Sequence, residues 1–265
     1  MMLKLLQQVL VKFIYSGQYK MSPYKQTLYV IWGNHLLFIL ALIFFFQWWM
    51  IPVAFIMLHV FGMFSEVAVH RYWTHKSYTT ARWKEHILKA WAFLAGQGAT
   101  LSWMTVHRYH HAYEDTPLDP HSPLHVPWWK IYTGLFPVKY KKTLIKDIIR
   151  HPDKDYFLFE NKHYWQMWTV LWVISLLIHP VLFFLIVSGA AMWYWATCMI
   201  NILSHGLILG KPRDPNYVAT NSVILNFLTG IGHHNNHHIY PNRYTYKVDN
   251  EIDIPGLVIE KFFKQ

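Results

Sequence analysis

The chain has 265 residues, of which 54% are hydrophobic, 18% aromatic and only 14% charged, with a formal net charge of +10. That balance points to a membrane protein, because the charge is segregated from long apolar stretches. In a soluble chain the positive excess would suggest nucleic acid; here basic loops flanking membrane spans account for it, so anionic lipid headgroups are the expected partner and nucleic acid is not. The single Cys198 excludes an internal disulfide.

Residues Met1 to Lys25 carry scattered Lys4, Lys12, Lys20 and Lys25 instead of the charged start, apolar run and cleavage site of a signal peptide. Leu3, Leu5, Leu6, Val9, Leu10, Val11, Phe13 and Ile14 suit a short amphipathic helix lying at the membrane surface. From Thr27 to Val69 there is no Lys or Arg, and Glu66 is the one acid. A spanning helix needs about 20 apolar residues, so this stretch holds two spans, about 27–46 and 49–69, broken at Gln47-Trp-Trp. From His163 to Gly210 there is no Lys, Arg, Asp or Glu. Two more spans are read there, about 165–187 and 190–208, broken at Ser188-Gly189.

Lys and Arg number 24, falling 4 before Thr27, 14 between His70 and Lys162 and 6 after Gly210. The positive-inside rule then makes both termini and the middle segment cytoplasmic. Trp48-Trp49, Trp128-Trp129 and Trp193 suit interfacial belts. No internal repeat, linker or low-complexity run divides the chain. The expectation is one all-α domain over 1–265: an integral, multi-pass membrane protein of four transmembrane helices with a cytoplasmic helical cap. Bacterial inner membrane, thylakoid and endoplasmic reticulum all fit.

The triplet His-x-x-His-His occurs twice, as His107, His110, His111 and as His234, His237, His238. On a helix, positions i, i+3 and i+4 share one face, so each triplet aims three imidazoles at one point. Imidazole is the commonest neutral nitrogen ligand for iron, copper and zinc. His70 with His75, and Asn201 with His205, lie at the cytoplasmic ends of the second and fourth spans, where they join the triplets at one depth. Nine imidazoles and one asparagine thus read as ligands of a di-metal site.

These residues resemble the membrane fatty acid desaturases of the stearoyl-CoA Δ9 type. The family's H-x4-H box is matched by His70-Arg-Tyr-Trp-Thr-His75, its two H-x-x-H-H boxes by the triplets, and its N-x3-H by Asn201-Ile-Leu-Ser-His205. Asp115-Thr-Pro-Leu-Asp119-Pro-His121, Gln97, Trp103, Pro241 and Glu251-Ile-Asp253 are also similar, so the resemblance covers about residues 27–258. It implies an O2-dependent desaturase placing a cis double bond in a long acyl chain, carried as acyl-CoA or acyl-lipid. Asp115, Asp119, His121 and Asp253 would then stand behind the ligands. Glu66 departs from the pattern; it reads as a partner of a ligand imidazole, an extra ligand, or an acid facing the interface. Cys198 stands where animal members have Trp in the tunnel wall. His233 lengthens the third box and reads as a bystander or as a residue standing behind the ligands. Ala54, Leu58 and Gly62, spaced by four on one helix face, are candidate tunnel residues, as are Gln97, Trp103, Thr197 and Cys198. Arg71, Lys76, Arg82 and Lys84 read either as headgroup ligands or as ordinary loop charge.

Removing hydrogen from an unactivated methylene needs a high-valent oxidant made from O2, so two non-haem irons are expected over redox-silent zinc. The sequence has no CxxCH haem motif, ferredoxin-type cysteines or Gly-rich dinucleotide fingerprint. A separate electron donor of the ferredoxin or cytochrome b5 kind is therefore implied. Two alternatives stay open: a related di-iron hydroxylase or ketolase acting on alkane, sterol, sphingolipid or carotenoid, and a membrane metal carrier or sensor.

Overall fold

In the computed structural model, which describes residues 21–136, 142–205, 219–248 and 250–265, the described residues form helices and loops without a strand. The surface helix expected before residue 21 lies outside them. Ser22 caps α1 (Pro23–Phe45): its Oγ accepts the Lys25 N–H at 3.3 Å, and Pro23 takes the first helical position, where no donor is lost. After a turn through Gln47, α2 (Met50–Met63) runs on into a π-helical segment, Phe64–Thr74. Then follow α3 (Arg82–Leu94), α4 (Thr100–Ala112), α5 (Trp128–Thr133), α6 (Lys146–Ile149), α7 (Lys154–Ile178) and α8 (Pro180–His205). Short helices α9 (Val223–Thr229), α10 (His234–Ile239) and α11 (Ile254–Val258) complete the chain, α11 passing into a second π-helical turn, Ile259–Phe263.

Among the described residues, three helices are long and apolar enough to cross a membrane: α1, α2 with its π-helical continuation, and α8. The expected break at Ser188-Gly189 is corrected to His179-Pro180. Proline has no N–H to continue a helix and forces its predecessor out of the α region; His179 is accordingly extended, at φ −165° and ψ 133°. Ser188 and Gly189 lie buried inside α8 instead. The helix expected as a third span at 165–187 therefore ends at Ile178. α7 is long too, but its first half carries Lys154, Asp155, Glu160 and Lys162 and bends at His163, whose φ and ψ leave the helical region.

Central α8 packs along α2, with α1 and α7 beside it. Without a hydrophobic drive between helices in lipid, close approach at small residues holds such bundles. A Cβ on Gly62 would stand 2.9 Å from the Trp193 ring, and one on Gly189 would stand 2.3 Å from the Phe61 ring. Trp193, expected at an interface, is thus buried in the bundle. So is the helix face expected to line a tunnel. Leu58, only 2% exposed, packs with Phe61, Val187 and Trp193; Ala54 packs with Met50 and Phe184; Gly62 receives Trp193. A period of four identifies a face, and packing decides what it meets.

A second core lies at one end of the bundle. Val67, Leu88, Met104, Phe157 and Ile259 bring α3, α4, the start of α7 and the C-terminal π-turn against the π-helical end of α2. Buried Glu160 of α7 accepts hydrogen bonds from the N–H and hydroxyl of Thr100, fixing the start of α4.

Candidate metal centre

His75 lies five positions after His70, which on an α-helix would leave them about 140° apart. The π-helical turn closes this gap. His75 N–H donates to the His70 carbonyl at 3.0 Å, an i to i+5 bond, and the two rings come within 4.9 Å. π-turns are rare and cluster at functional sites. The H-x-x-H-H triplets, in contrast, fall on ordinary helices, α4 and α10.

The nine imidazoles gather in two groups. His70, His75, His107 and His237 place ligand nitrogens within 4.8 Å of one another, as do His110, His205, His234 and His238. In the first group the Nε2 atoms of His70 and His237 are 3.2 Å apart, and those of His75 and His107 are 3.0 Å apart. His111 stands between the groups: its Nε2 is 3.1 Å from that of His107 and 2.8 Å from that of His237, and its ring stacks on His238. In the second group the Nε2 atoms of His205 and His234 are 2.8 Å apart, and those of His234 and His238 are 3.3 Å apart.

Carboxylates hold the far side of these rings. His70 Nδ1 is 2.9 Å from Glu66, His110 Nδ1 2.7 Å from Asp119, His205 Nδ1 2.8 Å from Asp115 and His238 Nδ1 2.9 Å from Glu114. The first three are hydrogen bonds that place the proton on Nδ1 and leave the Nε2 lone pair facing the other Nε2 atoms; His238 Nδ1, though close to Glu114, makes no hydrogen bond. Burial, reinforced by the neighbouring imidazoles, keeps His75, His107, His110, His234, His237 and His238 well below the ordinary histidine pKa and brings His111 to about 3. Neutral imidazoles with converging lone pairs repel one another unless a cation sits among them. Buried His110 Nε2, which has no partner, shows this most directly. The donor set fits a metal pair.

Asn201 is the exception among the expected ligands: its amide donates to His121 Nδ1 at 2.6 Å and to the His121 carbonyl. His121 itself lies against His110, their ring centroids 4.5 Å apart. Asp253 does not reach a ligand. It binds Arg71 through two oxygens, at 2.7 and 3.0 Å, while Arg71 lies over Tyr246 and 3.6 Å from Glu66. Arg71 is therefore a buried strut and no headgroup ligand. The other three basic candidates are also engaged: Lys76 with Asp147, Arg82 with Glu85 and Asp153, and Lys84 with the Phe262 carbonyl. His233 turns to the Ile252 carbonyl at 2.8 Å, apart from both groups.

Sequence reasoning passed over three residues. Glu114 adjoins Asp115, and the acidic run behind the box was its signal. Arg108, inside the second box, binds Asp147 through two oxygens and the carbonyls of Trp73, Thr74 and Leu144. Its signal was the repeated His-Arg-Tyr of the two boxes. Tyr246, 4.7 Å from the His237 ring, had none.

A cavity of about 170 Å³ opens beside the histidines. Ile31 of α1, Ile131 of α5 and Tyr194, Thr197 and Cys198 of α8 line its apolar length; Gln97, Trp103, His70, His107, His110, His234 and His237 line its polar end. Gln97 donates to Thr197 and accepts from the Trp103 indole. Four of the seven tunnel candidates thus border this space, whereas Ala54, Leu58 and Gly62 do not.

A membrane-type helical bundle capped by paired histidine clusters defines the class: a histidine-box membrane protein. The family model described as fatty acid desaturase matches residues 46–250. A Delta-9 acyl-lipid desaturase 1 of Arabidopsis thaliana is 31% identical over 211 residues, 74% of this chain and 66% of the relative. An acyl-CoA Delta(11) desaturase of Trichoplusia ni is 28% identical over 250 residues, 87% of this chain and 68% of the relative. An acyl-CoA C20 Delta5-desaturase of Anemone leveillei is 28% identical over 207 residues, covering 74% and 64%. The chain spans slightly less than two thirds of the Arabidopsis relative's length. It belongs to the fatty acid desaturase family.

Proposed function

We propose that this protein is an O2-dependent desaturase that places a cis double bond in a long fatty acyl chain at a non-haem di-iron centre. The observation carrying this reading is the meeting of two neutral-imidazole groups with an apolar cavity. One iron would be held by His70, His75, His107, His111 and His237, the other by His110, His205, His234 and His238. When bound and supplied with two electrons and two protons, such a pair would let O2 take two hydrogens from adjacent methylenes, with two waters formed.

The chain's own residues set the conditions for that chemistry. Glu66, Asp115 and Asp119 fix ring orientation and tautomer and increase the imidazoles' donor strength, and Glu114 stands beside His238. Asn201 steadies His121 against His110. The Gln97, Thr197 and Trp103 network forms the wall beside the histidines, and Ile31, Tyr194 and Cys198 hold the acyl chain away from water. A carrier or sensor would need neither this apolar space nor this many ligands.

The membrane arrangement is part of the proposal. α1, α2, α7 and α8 form four spans, with the histidine cap on the cytoplasmic side, where a ferredoxin- or cytochrome b5-type donor delivers electrons. Support comes from the absence of any Lys or Arg in 27–69 and 163–210.

The decisive experiment is expression in a desaturase-deficient host. New cis double bonds in its lipids, with about two irons per purified chain, are the expected result. Hydroxylated or ketonic products would favour the hydroxylase reading; an iron-free, inactive protein would end both.

A further inference from the structure

The segment Ala219 to Gly232 has no charged residue. Within it, α9 turns four large apolar side chains outward: Val223, Ile224, Phe227 and Leu228 are 87, 66, 78 and 41% exposed. Only Leu225 and Thr229 of the seven helical residues are buried. Asn226 Nδ2 donates to the Ile252 carbonyl at 3.1 Å, which ties α9 to a second exposed group, Ile252, Ile254 and Leu257. A contiguous apolar face of this kind is unfavourable in water and marks an interaction surface.

Its position identifies what covers it. α9 contacts α2 and α8, two of the membrane-type helices, and Ile231 packs into their shared core with Leu58, Phe61 and Trp193. The apolar face therefore continues the lipid-facing surface of the bundle. Gly230 and Ile231, which follow α9 directly, also line the cavity, together with His233, His234 and His237. One short uncharged stretch thus has bilayer on one side and the cavity on the other.

We propose that α9 lies in the bilayer interface and forms the portal through which the acyl chain enters the cavity sideways from the membrane. The portal rests on the desaturase reading, since it assigns that reading's substrate to the bilayer: an acyl chain already dissolved in lipid, esterified or free, and not one presented from water. Entry along the lipid phase spares the chain an aqueous passage whose cost grows with every methylene exposed to water.

The test uses the whole protein in lipid nanodiscs, with readouts independent of turnover. Nitroxide labels at Phe227→Cys and Ile224→Cys, in a Cys198→Ala background, are compared with labels at Phe55→Cys in α2 and Arg150→Cys in the loop before α7. Phe227 and Ile224 should resemble Phe55, with relaxation by O2 exceeding that by a water-soluble nickel chelate. Resemblance to Arg150, or protection from both relaxants, overturns the proposal. A phospholipid carrying a mid-chain diazirine, present during illumination, should label Ile231 and the cavity residues Thr197 and Cys198 in the unmodified protein. Labelling confined to Val223 and Phe227, or absent, overturns the portal. If both readouts hold and no double bond forms in cells, the entry route stands and the desaturase reading falls.

Discussion

At the residue scale, the least expected feature is Glu66. Its carboxylate stands 2.9 Å from His70 Nδ1 and 3.6 Å from Arg71 Nε, and Arg71 is locked by Asp253. Glu66 therefore acts on His70, a ligand of the proposed centre, while a buried guanidinium balances its charge, an arrangement that breaking one partner would leave uncompensated. Glu66→Gln keeps the shape and the oxygen that accepts the Nδ1 proton, and removes the charge. Loss of such a partner typically costs about 10- to 100-fold in metal affinity. The expected outcome is a folded protein whose first site yields iron to a chelator at about tenfold lower chelator concentration. An unchanged chelator titration would remove Glu66 from the centre. The ligands themselves allow a stronger prediction: His→Ala at His107, His110, His234 or His237 should abolish turnover and lower bound iron while the protein stays in the membrane. Full activity in two of these variants would overturn both triplets.

At the scale of elements, α4 must hold three imidazoles steady, and it is pinned at both ends. Glu160 fixes its start, and Arg108 ties its box turn to the π-helical segment and to Asp147. Burial pushes the Asp147 carboxyl up, but the hydrogen bonds and charges of Arg108 and Lys76 outweigh this and bring it from 3.8 to about 2. A carboxylate depressed on folding stabilises the native state above its unfolded pKa, and that contribution is lost as pH falls through the folded value. Stability should therefore drop between about pH 4 and pH 2, and Asp147→Asn should flatten that part of the thermal-unfolding profile. A parallel loss in wild type and variant would show that the clamp contributes nothing. Helix faces behave similarly. Leu58→Ala, at the seam between α2 and α8, should lower stability by about 2 kcal/mol and leave the chain-length profile of products unchanged. Tyr194→Ala, at the apolar end of the cavity, should extend that profile to longer chains. The opposite pair of results would return the tunnel to α2. These cases mark how far the sequence could be read. The triplets were legible because α-helical spacing alone aligns them, and Asp115 and Asp119 because they follow a box. The π-turn joining His70 to His75 was not, since it depends on packing and leaves no periodic pattern. Nor was the seam at Leu58, because a helix face facing lipid, tunnel or helix has the same composition.

At the scale of the whole molecule, chemistry and compartment are linked by which way the bundle sits in the membrane. Hydropathy misplaces the last turn by nine residues, because Ser188-Gly189 resembles a break and Pro180 reads as span interior; His179 is the residue that leaves the helix. The connections at Gln47 and His179 are both exposed and free of basic residues, whereas exposed Arg150 belongs to the basic middle segment. If the positive-inside rule holds, the histidine cap shares a side with Arg150, and electrons reach it from cytoplasmic donors. Cysteines introduced at Gln47 and at His179 should then react with an impermeant maleimide from the non-cytoplasmic side, and one at Arg150 only after the membrane is opened. Native Cys198 is buried, so it contributes little background. The reverse pattern would place the cap away from every cytoplasmic reductant and leave the proposed centre without its electrons. Labelling at Gln47 and His179 from opposite sides would mean that α7 does not cross, reducing the bundle to the three helices whose length and apolarity suffice alone. The cap would then be divided between the two faces: His205 at the end of α8 could not meet His110 across a bilayer, although their ring centroids lie 5.0 Å apart. That contact ties the topology to the metal centre, so the labelling experiment tests both.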